Sequence, residues 1–196
     1  PFLLLAMFVD PVTITGVNGW VKPLKFTTSV AIYAATLIWL LTLVQERRRW
    51  VQLVANLTAT ALLVEIGLII MQVLRGTTSH FNLATPLDAA VFSTMGVLIS
   101  LVAFLTLLLG IWLTFQHMAD PVKSWAVRLG VLLSLSGMLV GFLKTAGPTP
   151  AQLDALQAGA PLTTVGAHSV GVADGGPGLP LLGWSTTGGD LRIGHF

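Results

Sequence analysis

No cysteine occurs in the 196 residues, which removes disulfides, thiolate metal sites and thiol nucleophiles and leaves the redox compartment open. Charge is nearly as scarce. Asp, Glu, Lys and Arg make up 9% of the chain, against roughly 25% in an ordinary soluble domain. So little polar surface does not cover a water-soluble fold of this size. The formal net charge is only +2, and no basic run alternates with aromatics, so no nucleic-acid partner is expected. No HExxH or GxSxG motif is present, and no glycine cluster is followed by Lys-Ser/Thr as a phosphate loop requires.

What the chain has instead is long apolar runs. Hydrophobic residues account for 54% and the mean hydropathy is +0.84. The runs are unbroken rather than amphipathic, and four of them reach the roughly 20 residues needed to cross a bilayer. The spans are expected over about 23–44, 51–74, 86–115 and 121–144. Their limits carry local signals: Pro23 as a first helical residue, the cap-then-proline pairs Thr85-Pro86 and Asp120-Pro121, and Arg75-Gly76 as a stop. Asp88, third in its helix, completes a variant of the capping box with Thr85. Phe2 to Val9 is apolar but too short to span. It is read as the tail of a truncated helix or a segment packed at the interface, in a chain expected to be incomplete at both ends. In the last span Gly130, Ser134, Gly137 and Gly141 recur at helical spacing, the pattern of a small-residue packing seam.

Residues 145–196 differ from the rest, with 16 Gly or Pro among 52 residues against 14 in the preceding 144. Thr149-Pro150-Ala151-Gln152 is another capping box, opening a short helix that Gly159 should close. Val165, Val170, Val172, Leu179, Leu181 and Trp184 are more apolar than a disordered linker carries. The fold class that follows is an all-α membrane protein. Residues 1–144 form a helical bundle of four complete transmembrane helices plus a partial N-terminal element. Residues 145–196 form a Gly/Pro-rich irregular extramembrane cap.

Arg47, Arg48 and Arg49 put the first hairpin on the cytoplasmic side. Alternation then gathers 10–22, 75–85 and 145–196 on one extracytoplasmic face. That face holds Asn18, Asn82, Asp174 and three of the four histidines, His80, His168 and His195, with His117 opposite. Lys22 and Lys25 are expected to snorkel to headgroups. Arg75 and Arg192 lie beside polar motifs and suit an anionic ligand.

Glu65 is the sharpest single residue. An acid near the middle of a span costs roughly 2.5–3.5 kcal/mol on insertion scales, so it should face protein or water. Thr58, Glu65 and Gln72 recur every seven residues and share a stripe that leads toward Arg75 and His80. The ligand-binding candidates are therefore Glu65, Gln72, Arg75, His80, Asp190 and Arg192. His80, His168 and His195 are the candidate metal ligands, for haem or a divalent metal, although no two lie three or four residues apart. A Ser185 or Ser169 nucleophile with His168 and Asp190 lacks a supporting motif, and turn chemistry accounts for these residues better.

Several segments occur together in a familiar way: Trp20-Val21-Lys22-Pro23-Leu24-Lys25-Phe26, Thr77-Thr78-Ser79-His80-Phe81-Asn82, Asp174-Gly175-Gly176-Pro177-Gly178-Leu179-Pro180, Gly189-Asp190-Leu191-Arg192 and His195-Phe196. In these the chain resembles a group of uncharacterised bacterial multi-pass inner-membrane proteins. The resemblance implies a bacterial inner-membrane location and a further hydrophobic helix after Phe196. It carries over no catalytic residue.

Three functions compete. The leading one is a polar, histidine-containing ligand site at one membrane face, taking an anionic small molecule or lipid, with haem- or metal-assisted redox as its chemistry if it reacts. The second is a carrier for a small solute or lipid with Glu65 as its proton or cation site, against which stands the absence of a paired inverted repeat in the sequence. The third is a structural or assembly protein without a site.

Overall fold

The apolar runs form the helices that their length requires. The computed structural model describes residues 2–14, 17–44, 48–143 and 150–160. Its elements are α1 (Phe2–Val9), a two-residue antiparallel ladder of β1 (Thr13–Ile14) with β2 (Val17–Asn18), α2 (Val21–Leu43), α3 (Arg48–Leu74), α4 (Pro86–Phe115), α5 (Pro121–Leu143) and α6 (Pro150–Gln157). Helices α2 to α5 are each long and apolar enough to cross a membrane. The protein is thus an all-α helical membrane bundle, with four helices of spanning length among the described residues. Apart from residues 150–160, the expected cap over residues 145–196 lies outside the described residues.

Helix limits follow backbone chemistry. Thr85 Oγ1 accepts the Asp88 amide at 3.1 Å, and Asp120 Oδ1 accepts those of Val122 and Lys123 at 2.9 and 3.3 Å. Each satisfies donors that a helix start leaves unpaired. Gly76 ends α3 at φ 69°, and Gly159 follows α6 at φ 83°. In both turns the glycine amide bonds back three residues and the next amide bonds back five, the Schellman pattern that needs a left-handed residue. Helices α2 and α3 begin two and three residues before the expected positions, at Val21 and Arg48.

The chain divides into two compact units, one of residues 1–25, 68–95 and 141–196, the other of residues 26–67 and 96–140. In the first, Asp10, Asn18 and Trp20 tie α1 to the start of α2. Asn18 Nδ2 donates to the carbonyls of Met7 and Asp10, at 3.1 and 3.2 Å, satisfying the end of α1. The Trp20 indole donates to Asp10 Oδ2 at 2.9 Å, and its ring meets Phe2 edge-on. Gly19 lies against Ile14, Val12 and Val73, where an added Cβ would come within 3.0–3.3 Å of their side chains. Lys22, two residues after the buried Trp20 in this packed turn, is itself buried rather than snorkelling as expected.

The core of the second unit is built from Leu37 and Leu41 of α2, Val54 of α3, Leu105, Leu109 and Leu113 of α4, and Val127 and Val131 of α5. A smaller cluster joins Ala61, Leu62 and Val102. Two side chains close helix ends in this unit. The Gln116 amide donates to the Leu43 carbonyl at the end of α2, and Arg128 Nη2 donates to that of Thr114 at 2.9 Å.

The expected packing seam on α5 is corrected by this core. Gly130, Ser134 and Gly137 are exposed, and a Cβ at either glycine would meet nothing within 4 Å. Helix α5 buries Ser124, Val127 and Val131 instead, a line roughly a quarter turn round the helix. The close approach is made by Gly110 of α4, whose added Cβ would lie 2.7 Å from Val131 Cγ1. Gly110→Ala is therefore expected to destabilise the bundle by about 1–3 kcal/mol, the usual range for overpacking. Unfolding in a detergent–denaturant titration reads this, and the loss should shrink when Val131→Ala is present in the same chain.

Candidate ligand site

Two buried polar residues, Gln72 and Asp88, meet the part-exposed Arg75 at the α3–α4 junction of the first unit. Asp88, in the first turn of α4, is almost fully buried, and both of its carboxylate oxygens are engaged. Oδ1 accepts from Gln72 Nε2 at 2.9 Å and from Arg75 Nη1 at 2.6 Å. Oδ2 accepts from Thr85 Oγ1 at 2.6 Å. Arg75 Nη1 also donates to Gln72 Oε1. One carboxylate thus completes a helix cap, neutralises a guanidinium and anchors a fully buried amide.

Local structure explains why these residues meet. Gln72 and Arg75 fall one turn apart at the end of α3, on adjacent positions of one helix face. Gly76 reverses the chain there, and the proline at 86 starts α4 with Asp88 pointing back. The loop between is stitched by its own side chains. Gln72 Nε2 reaches the Thr78 carbonyl at 3.4 Å, and Asn82 Nδ2 donates to that carbonyl at 3.0 Å and to Thr77 Oγ1 at 2.9 Å. Asn82 Oδ1 accepts the Ala84 amide at 3.0 Å. Phe81 adopts φ 57° with its ring packed on Phe92, centroids 5.2 Å apart. A left-handed backbone is uncommon for a bulky residue and costs of order 1–3 kcal/mol, which the surrounding bonds offset.

Arg75 is held differently from the rest. Its side chain is 33% exposed against 4% for Asp88. Among the described residues, Nη1 carries every hydrogen bond that the Arg75 side chain makes. Buried partners fix the guanidinium at one corner, while part of the group faces outward. Five residues on, His80 is half-buried, with Nδ1 3.0 Å from Ser79 Oγ and its ring beside Phe81.

The sequence-derived candidates separate accordingly. Gln72 and Arg75 are joined, and His80 lies on the same stitched loop. Glu65 belongs to the second unit, where it is 5% exposed, on a helix whose Thr58 is also buried. His168, Asp190, Arg192 and His195 lie outside the described residues. Among the described residues no group of three or more His, Cys, Asp or Glu side chains could hold a metal ion, so the expected haem or metal chemistry finds one of its three histidines here, His80. Sequence reasoning missed Asp88, which it took as a helix cap alone. The signal was the same capping acid: a carboxylate one turn into a membrane span, facing an arginine across a short loop.

The chain matches no protein-family model, no curated protein and no solved structure, so a functional reading rests on the chemistry of these residues.

Proposed function

We propose that this integral membrane protein binds an anionic group, a carboxylate or phosphate of a small solute or lipid, at the α3–α4 junction through Arg75. The observation that carries the reading is the part-exposed guanidinium pinned at Nη1 by buried Asp88 and Gln72. A rigidly held planar donor offers two parallel N–H groups to an oxyanion at little entropic cost. Asp88 neutralises much of the charge, so recognition works by donor geometry more than by net potential. Binding should accordingly depend weakly on salt and strongly on the guanidinium shape.

Thermal unfolding of the detergent-solubilised protein, titrated with acetate, succinate, inorganic phosphate and glycerol 3-phosphate, tests this. At least one anion should raise the unfolding temperature of the wild type. Arg75→Lys keeps the charge but not the planar fork. It should weaken that response about tenfold or more, the worth of one charge-assisted hydrogen bond. A wild type indifferent to all four anions, or an Arg75→Lys variant with an undiminished response, would contradict the reading.

A second reading has its own support. Glu65 is a buried acid within a membrane-spanning helix, and an intramembrane ionisable residue marks a proton or ion pathway by default. In this reading the protein carries the bound anion across the membrane, with Glu65 taking up the accompanying proton or cation.

A further inference from the structure

The second unit carries a basic and aromatic surface that the Arg75 site does not use. It lies where α2 and α4 finish and α3 and α5 begin. Arg48, Arg49 and Lys123 are exposed, and Arg128 is half-buried. Against these four basic residues the described part of this end has a single acid, Asp120, whose Oδ1 is occupied by the amides of Val122 and Lys123. Among the described residues this end therefore carries three more basic side chains than acidic ones.

The cations are seated on aromatic rings. Lys123 Nζ lies 6.0 Å from the centroid of Trp39, bridging α5 to α2, and Arg128 Cζ lies 5.9 Å from that of Trp125. Both distances are at the reach of a cation–π contact. Trp39 and Trp125 are themselves exposed, as is Trp50 beside Arg49. Tryptophans at helix ends settle at headgroup depth, so each ring places its cation there. Next to them the exposed side chains are aliphatic, Ile38, Leu129 and Leu132 among them. An occupant of this surface meets ammonium and guanidinium groups, indole rings and alkyl side chains together. Soluble anions match the first of these alone.

We infer that this end of the second unit is a binding surface for acidic phospholipids, with the headgroup phosphate on Lys123 above Trp39 and the acyl chains along the adjoining aliphatic face. Arg48, Arg49 and Arg128 supply the surrounding field that discriminates a net-negative lipid from a zwitterionic one. The lipid also secures the α2–α5 seam, because Lys123 and Trp39 come from these two helices.

The test is the motional restriction of spin-labelled phosphatidylglycerol and phosphatidylcholine by the full chain in phosphatidylcholine bilayers. The wild type should associate with the phosphatidylglycerol label several-fold more strongly. Lys123→Gln should reduce that preference by about fivefold at most, the effect of one basic residue near a membrane surface, and Arg48→Gln with Arg49→Gln should reduce it further. Lys123→Arg should retain it. The count of restricted phosphatidylcholine labels, unchanged in every variant, shows that each still folds. Equal association of the two labels with the wild type overturns the proposal, as does a preference that survives all three glutamine substitutions. So does a preference abolished by inorganic phosphate at constant ionic strength, since the ligand would then be a free anion.

Discussion

Replacing Asp88 by alanine is expected to cost about 3 kcal/mol of stability, among the largest effects of any single polar substitution in this chain. Several losses combine. The Thr85–Asp88 capping box loses its acidic half, and cap losses are typically about 1 kcal/mol. Gln72, which has no accessible surface, loses its 2.9 Å acceptor; leaving a buried donor unsatisfied costs about 1–3 kcal/mol. Arg75 loses its counter-charge, but a third of its side chain is exposed and water takes over much of that role, so this part is small. Asp88→Asn separates the contributions, because it keeps one acceptor oxygen and removes the charge; it should fall between alanine and wild type. Arg75→Ala should cost about 1 kcal/mol. A double-mutant cycle between Asp88 and Arg75 should show a coupling well below the total Asp88 loss. Reversible unfolding followed by helical circular dichroism in detergent measures all four variants against the wild type. A loss under 1 kcal/mol for Asp88→Ala would mean that the junction is held by packing alone.

The asymmetry between Asp88 and Arg75 also separates structure from binding. Asp88 is engaged on every side, so its removal should lower stability and anion response together. Arg75→Lys should leave stability nearly unchanged while weakening the anion response. A variant pair with this split identifies Arg75 as a recognition group rather than a second staple.

The four spans were legible in the sequence because bilayer thickness sets a length that a hydropathic run either meets or does not. Helix starts at Pro86 and Pro121 were legible for a similar reason: capping is local, and the residues that perform it lie within four positions of each other. What was not legible depended on distant partners. Asp88 meets Gln72 and Arg75 across 16 and 13 residues, and its cap geometry already satisfied the local reading. Asp10 was unremarkable until Asn18 and Trp20 folded onto it. The short ladder at Thr13–Ile14 and Val17–Asn18 has too few residues for a period to register. The α5 seam failed because small residues at helical spacing permit close packing without requiring it; β-branched valines at 127 and 131 bury more surface against Leu109 and Leu113 and set the helix rotation. Of the candidate site, Gln72 was identified from its helical stripe with Thr58 and Glu65, and Arg75 and His80 from the polar segment that follows; Asp88, which anchors Gln72 and Arg75, was not.

Glu65→Gln is expected to abolish coupled transport while leaving the fold intact, if the carrier reading holds. The acid is 5% exposed, so its helix presents it to protein rather than lipid, and the insertion cost of a charge at that depth is avoided. Glutamine is nearly isosteric, keeps a carbonyl oxygen and cannot exchange a proton or balance a cation. Stability should therefore change by less than about 1 kcal/mol, whereas Glu65→Leu, which removes every polar atom of the side chain, should cost more. Proteoliposomes enclosing a pH-sensitive dye, given an inward gradient of whichever anion stabilises the solubilised protein, provide the measurement. Wild-type vesicles should change internal pH as the anion enters; Glu65→Gln vesicles should not, yet should still show anion-dependent thermal stabilisation, because Arg75 is untouched. Flux equal to wild type in Glu65→Gln assigns the residue to packing. A wild type that binds the anion but moves no protons removes the carrier reading and leaves the binding reading standing, since the two rest on different residues and different observables. The outcome turns on a simple physical difference: a buried carboxyl group has two protonation states to alternate between, and a buried amide has one.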